Sequence, residues 1–144
     1  MKVLLDTTVL VAGLVNSHPG HQRALPWLEQ VRQQAIAAVV SAHSLAELYA
    51  VLTTLPVRPK ISPAVAYQLI EDNVIGQIEA IPLTSGDYYD LIRHLSQVGI
   101  VGGAVYDAVI ACAAVKAQVD HIVTFNHRDF RRVYPALAAS VIVP

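Results

Sequence analysis

The chain opens with MKVLLDTTVLVAG, residues 1–13, in which an acidic residue interrupts an apolar pattern. Residues 2–5, KVLL, form a short apolar run typical of a buried strand, and TTVLVAGL, residues 7–14, begins a helix. Asp6 lies between the two, where a buried pattern would continue with another apolar side chain. Because an isolated carboxylate is costly to bury, Asp6 must be ion-paired or hydrogen-bonded, cap the helix or bind a metal ion.

Strand and helix patterns alternate along the rest of the chain. Further strands are predicted at residues 35–40, 78–83, 121–125 and 140–144. Helices are predicted at 21–34, with Pro26 in the first turn, and at 43–55, 62–75, 84–99 and 105–118. Strands that are apolar on both sides and alternate with helices indicate an α/β fold, with a mostly parallel sheet of four or five strands flanked by helices. No repeat or long linker interrupts the pattern, so residues 1–144 are predicted to form a single domain.

The composition indicates a densely packed globular protein. Hydrophobic residues make up 54% of the 144 residues and charged residues 15%, whereas about 25% is the usual charged share. No apolar run reaches the roughly 18 residues that span a bilayer, and Asp6 interrupts the N-terminal run, so neither a membrane segment nor a signal peptide is expected. Cys112 is the single cysteine, which fits a reducing, cytoplasmic setting.

The net charge of −1 argues against a polycation that coats nucleic acid by charge alone. One local basic patch is present in HRDFRR, residues 127–132, which contains Arg128, Arg131 and Arg132. Such a patch is as typical of a solvated helix face as of a phosphate contact. None of the six histidines is predicted to lie at a ligand-like spacing with another ligand beside it.

Three acids stand in apolar surroundings: Asp6 in LLDTT, Glu47 in LAELY and Asp107 in VYDAV. Each has a structural alternative. Asp6 is a suitable N-cap for the helix that follows it. Glu47 has the spacing of a capping box with Ser44 as the cap, and Asp107 suits the first turn of a helix.

Taken together, the acids favour a metal site. Asp6 follows the first strand, Glu47 lies early in the helix after the second, and Asn126 and Asp129 follow the fourth. In a parallel sheet these positions share one edge, and carboxylates that converge there repel one another unless a cation lies among them. An all-oxygen ligand set suits Mg²⁺ or Mn²⁺. Metal-dependent phosphoryl chemistry follows, without a choice between nuclease and phosphatase.

Four blocks of the chain resemble the signature blocks of the PIN domain family, and more narrowly of the VapC-type ribonuclease toxins. They are VLLDTTVLV (3–11), SLAELYAVLT (44–53), GGAVYDAVIACAA (102–114) and IVTFNHRDF (122–130). The resemblance implies a PIN-like three-layer sandwich. It also implies that Asp6, Glu47 and Asp107 are catalytic ligands of Mg²⁺ or Mn²⁺, with the fourth place taken by Asp129 on charge or by Asn126 on alignment.

The same resemblance implies a function. It predicts an endoribonuclease that hydrolyses RNA with a metal-activated water, acts as the toxin of a toxin–antitoxin pair, forms a homodimer and is blocked by a cognate antitoxin protein. Thr7, Thr8, Asn126 and Arg128 are then the expected substrate contacts. Thr8 is a departure, since the family often has Asn at its place, but a hydroxyl can still bond a carboxylate or a phosphate.

Three other functions compete with this prediction. A haloacid-dehalogenase-like phosphatase also begins with an Asp after an apolar strand, but Thr8 occupies the place of its second Asp. A receiver-type signalling domain would need an early acid pair and an Asp on a middle strand, and neither is evident. A catalytically silent PIN-like module that binds RNA or protein would have no use for clustered acids.

Overall fold

The computed structural model describes all residues from Met1 to Pro144 and contains one five-stranded sheet. Its strands are β1 (Lys2–Leu5), β2 (Ala37–Ser41), β3 (Glu79–Ile81), β4 (His121–Val123) and β5 (Val141–Ile142). The strand order is β3-β2-β1-β4-β5, and every neighbouring pair is parallel. The predicted α/β fold is therefore confirmed, with a sheet that is parallel throughout.

Helices cover both faces of the sheet. They are α1 (Thr7–Leu14), α2 (His21–Arg32), α3 (Ala42–Thr54), α4 (Pro63–Asn73), α5 (Ser85–Val98), α6 (Ala104–Lys116) and α7 (His127–Val133), followed by a short 3₁₀ helix (Pro135–Ser140). None of these helices combines the length and the apolar character that crossing a bilayer requires.

Alternate residues of the strands bury into two separate cores. Val3 and Leu5 of β1 pack with α1, α2, α3 and α4, whereas Leu4 packs with α6 and α7. All three side chains are fully buried. Because successive strand residues point to opposite faces, this division shows helices above and below the sheet and confirms the predicted three layers.

Helix α6 is the most deeply buried helix of the second face. Its small residues Ala108, Ala111 and Ala113 are fully inaccessible to solvent, and Ile110 is 1% exposed. One set of its side chains packs on the sheet and another packs on α5. A helix with two covered faces lies largely inside a protein, and Asp107 directly precedes the buried run of α6 that begins at Ala108.

The direction of strand addition reverses between β1 and β4. The chain first adds β2 and β3 on one side of β1, and then adds β4 and β5 on the other. The backbone N–H of Asp6 donates to the carbonyl of Val123 at 3.0 Å, which extends the β1–β4 pairing by one residue. Ligand sites of open parallel sheets lie beyond the strand ends at such a reversal. The residues directly after β1 and β4 therefore line the expected site.

Some predicted boundaries are wrong. The third strand ends at Ile81 rather than at residue 83, because Pro82 has no N–H to continue the ladder. The fourth strand ends at Val123 instead of residue 125. Pro26 is the sixth residue of α2 and not part of its first turn, so it leaves one carbonyl of the preceding turn without its usual donor.

Candidate functional site

Asp6 occupies the junction of β1 and α1. It has the N-cap position of α1, but its side chain makes no capping bond. Instead the hydroxyls of Thr8 and Thr124 both donate to Oδ2 at 2.7 Å. The residue is only 3% exposed. Asp6 therefore occupies the N-cap position, but helix capping does not explain the hydrogen bonds of its carboxylate.

The carboxylate of Asp6 has no cationic partner among the ion pairs of the chain. Burial raises its pKa above the ordinary value, the hydroxyls of Thr8 and Thr124 oppose this, and nearby Glu47 raises it further. A buried carboxylate that lacks a counter-charge is costly. Asp6 is therefore suited to hold a cation.

Asp107 lies in the first turn of α6 and faces the end of β4. The side-chain amide of Asn126 contacts both of its oxygens, each at 3.4 Å from Nδ2. Burial is the largest of the effects that raise the pKa of Asp107 to about 6, and the charges of Asp6, Asp129 and Glu47 add to it. Asp107 thus lies within the electrostatic reach of all three other predicted acids.

Glu47 joins this group from α3. The helix begins at Ala42 with Ser41 as its N-cap, so the capping-box alternative for Glu47 is wrong. Its Oε2 lies 3.1 Å from Nε2 of His43, one turn earlier. The imidazole stacks on the ring of Tyr106, with centroids 5.2 Å apart and planes 2° from parallel.

His43 and Tyr106 were not among the predicted site residues. Together they bridge α3 and α6 above the acids, because Tyr106 directly precedes Asp107. The one available signal was the four-residue spacing of His43 and Glu47, which places two side chains on the same helix face.

Asp129 and Arg128 lie on the short helix α7 at the rim of the site. The Asp129 side chain is 43% exposed, and its Oδ1 lies 3.8 Å from the guanidinium of Arg132. Arg128 is exposed and pairs with no carboxylate. The fourth block therefore places Asn126 against Asp107 and leaves Asp129 more open to solvent.

Three threonines line the inner wall of the site. Thr124 was not predicted as a site residue, yet its fully buried hydroxyl donates to Asp6 and accepts the backbone N–H of Asn126 at 2.9 Å. Thr8 donates to the same carboxylate and accepts the N–H of Phe125 at 3.2 Å. The hydroxyl of Thr7 is buried and has no hydrogen-bond partner.

The donor set of this acidic cluster (Asp6, Glu47, Asp107 and Asp129) suits a divalent cation. No three acidic, histidine or cysteine side chains lie close enough to enclose one ion. A full protein cage is not what Mg²⁺ requires, since it keeps several waters and engages one or two carboxylates. The cluster offers oxygen ligands, and Oδ1 of Asp6 receives no side-chain donor. These residues fit Mg²⁺ or Mn²⁺ better than Zn²⁺.

The whole arrangement agrees with a known family. The family model described as the PIN domain matches residues 3–135. The chain belongs to the PIN domain family. Two curated relatives from Mycobacterium tuberculosis are similar to this PIN domain along most of their length. Ribonuclease VapC40 is 34% identical over 89% of this chain and 87% of its own, and ribonuclease VapC27 is 33% identical over 96% and 94%.

Solved structures share the fold of this PIN domain at lower identity. VapC20 of M. tuberculosis, a toxin that cleaves the sarcin-ricin loop, matches with a TM-score of 0.68 and 13% identity over 88% of this chain and 92% of its own. VapBC2 of Rickettsia felis, bound to a DNA fragment from its promoter, matches with a TM-score of 0.65 and 22% identity over 100% and 98%. The predicted family and fold are confirmed.

Proposed function

We propose that this PIN domain is a metal-dependent endoribonuclease, the toxin component of a toxin–antitoxin pair, and that residues 1–144 act as one nuclease domain. The observation that carries the proposal is the buried Asp6, which has no cationic partner and shares the strand reversal with Asp107. The names of the curated relatives support ribonuclease activity. Because the proposed substrate is RNA, we also propose that the protein acts in the cytoplasm.

We assign Asp6 and Asp107 to hold Mg²⁺ or Mn²⁺, with Glu47 and Asp129 completing the negative field. A divalent cation in such a site polarises a phosphodiester and lowers the pKa of water. Thr8 and Thr124 hold the Asp6 carboxylate in one orientation through their hydroxyls. Asn126 does the same for Asp107 through its amide, so we place Asn126 as a positioning residue and Asp129 as the fourth acid.

Two side chains are assigned to the substrate itself. Arg128 is exposed beside the cluster with no carboxylate partner, which suits contact with an RNA phosphate. Thr7 is the second candidate, because it lines a cavity next to the acids and its buried hydroxyl has no hydrogen-bond partner within the chain.

The phosphatase alternative is not favoured by the site. In that class a second Asp, two residues after the first, acts as general acid. Thr8 holds this place, and its hydroxyl is committed to the Asp6 carboxylate at 2.7 Å. No other acid occupies that position.

The proposed partners are an antitoxin protein and a second copy of the chain. The likeness to VapBC2, whose structure holds DNA from its own promoter, supports a role within such a complex. The acidic cluster is the surface that an antitoxin would block, because its negative charge attracts a cationic side chain.

The test is RNA cleavage by purified protein with Mg²⁺ or Mn²⁺, beside a sample with EDTA. Asp6→Asn is expected to lose at least about a hundredfold in kcat/KM. Asp90→Asn is the matched control, since the Asp90 side chain is 79% exposed on α5 and should retain the activity. Cleavage that persists in EDTA, or in Asp6→Asn at the wild-type rate, would contradict the proposal.

A further inference from the structure

A cavity of about 300 Å³ opens beside the acidic cluster, between α1 and α3. It shares Glu47 and Thr8 with the proposed cleavage site. The rest of its wall is mostly apolar and is formed by Val11, Val51, Leu55 and Phe125. An apolar wall supplies no ligands to a cation, so we expect the cavity to bind a different group.

Two polar groups in the cavity wall lack partners within the chain. The hydroxyl of Thr7 is buried, the residue is 2% exposed, and no hydrogen bond satisfies it. The backbone N–H of Gly20 donates to Nδ1 of His18 at 3.0 Å. Because Nδ1 accepts this bond, we assign the ring proton to Nε2, which leaves an N–H that no group of the chain uses.

The aromatic part of the wall is held in place from outside the cavity. The guanidinium carbon of Arg23 lies 5.1 Å from the ring centroid of Phe125. The ring edge also rests on Gly20, where a Cβ would come within 2.9 Å of Cζ. Phe125 therefore offers a preformed ring surface, at little further cost in side-chain entropy on binding.

We propose that this cavity receives one nucleobase of single-stranded RNA, from a nucleotide next to the scissile phosphate. The inference rests on the proposed nuclease function. An unstacked base offers a flat apolar ring to Phe125 and a polar edge to Thr7 and His18, which is how proteins recognise single strands. Glu47 of the acidic cluster also lines the cavity, as does Thr8, which bonds Asp6, so adjacent parts of one RNA strand reach both.

The size and charge of the cavity favour a base over a segment of protein. About 300 Å³ is at the lower end of the range for small-molecule sites, and it admits one ring system rather than a helix or strand. The carboxylate of Glu47 at the cavity wall disfavours an anionic group there but not an uncharged ring. The phosphate is thereby directed to the cation and the base to the cavity.

The test uses a short single-stranded RNA with one cleavage site and a series in which each nucleotide near that site is made abasic in turn. For the wild-type protein, one flanking position should show a rise in KM of about tenfold, the factor that roughly 1.4 kcal/mol of base stacking corresponds to. Other positions should show much smaller changes.

Leu55→Trp fills the cavity from its partly exposed rim. In this variant the intact RNA and the abasic RNA should be cleaved with the same KM, because no base can enter. Val51→Phe is a second filling variant in case Leu55→Trp does not fold. Ile92→Trp, at a residue that is 56% exposed on α5, is the control and should keep the wild-type dependence on the base.

Each outcome separates the two proposals. If the wild-type protein cleaves RNA but no abasic position raises KM, the base assignment is wrong and the nuclease proposal stands. If the abasic effect is the same in a folded filling variant as in the wild type, the cavity has another occupant, such as a side chain of a partner protein, and the assignment is again wrong. If the wild-type protein neither binds nor cleaves any RNA, both proposals fail.

Discussion

Replacement of Thr124 by Val tests how the Asp6 carboxylate is held. Valine has the shape of threonine and removes only the hydroxyl, which donates to Oδ2 of Asp6 at 2.7 Å. A hydrogen bond to a charged group contributes about 1.5–3 kcal/mol when buried. The N–H of Asn126 also loses its acceptor, but water can replace it because Asn126 is only partly buried.

We therefore expect the free energy of unfolding of Thr124→Val to fall by about 2 kcal/mol. For a chain of this length that corresponds to a loss of roughly 4–8 °C in Tm. The kcat/KM for RNA should fall by about 10- to 100-fold, the usual effect of removing a group that orients a metal ligand. Chemical unfolding in urea and single-site RNA cleavage provide the two measurements.

Thr124→Ser is the matched control, because it keeps the hydroxyl and removes one methyl group. It should lose about 1 kcal/mol from the small cavity, and its activity should stay near that of the wild type. A second comparison places Thr124→Val in the Asp6→Asn background. In that background the Thr124 hydroxyl bonds a neutral amide, so Thr124→Val should lower the free energy of unfolding by only about 1 kcal/mol.

Two results would contradict this role of the Thr124 hydroxyl. If Thr124→Val is as stable and as active as Thr124→Ser, the hydroxyl does not orient Asp6. If Thr124→Val lowers the free energy of unfolding equally with Asp6 and with Asn at position 6, the charge of the carboxylate does not strengthen the hydrogen bond.

Three further predictions use other parts of the structure. The folded-state pKa of Asp107 is raised from 3.8 to about 6, so this carboxyl binds more protons in the folded protein than in the unfolded chain between these values. Without metal, the contribution of Asp107 to the free energy of unfolding should be greatest below pH 4 and fall by about 1 kcal/mol, after solvent screening, as the pH rises through 6. Thermal melts of the wild type and of Asp107→Asn across pH isolate this contribution. Millimolar Mg²⁺ should raise Tm at pH 7 and have little effect at pH 4, and an equal shift at both values would count against the acidic cluster as its site. Gly13→Ala should lower the free energy of unfolding by about 1–2 kcal/mol, because a Cβ at this position would lie 2.5 Å from Cδ1 of Leu28. This loss should outweigh the higher helix propensity of Ala. Urea titration checks the prediction, and an unchanged stability would show that α1 and α2 can separate.

The layered fold was predictable because its signals are local. Val3 and Leu4 are apolar neighbours on a strand, so both faces of that strand must be covered. A predicted helix follows each of the first three strands, which favours parallel pairing because parallel strands need a long crossover connection. Parallel pairing in turn places the residue after each strand at a common edge. That is why the acids after β1 and β2 could be predicted to face one site.

The strand order could not be predicted in this way. Nothing in KVLL or HIVTF states that β1 and β4 are neighbours, since each is an apolar run that suits any inner position. Their pairing depends on how seven helices divide between two faces. Residues whose role depends on that pairing were missed for the same reason, and Thr124 is the clearest case.

Thr124 and Asp6 are 118 positions apart, and neither residue type by itself marks a contact between them. Once β1 and β4 are neighbours, however, the contact is nearly unavoidable. Leu5 pairs with Val123, so the next residue of each strand emerges at the same height on the same edge. Asp6, directly after β1, then contacts the residue directly after β4, which is Thr124. A hydroxyl at that place stabilises the carboxylate without neutralising it, and so it leaves the charge available to a cation.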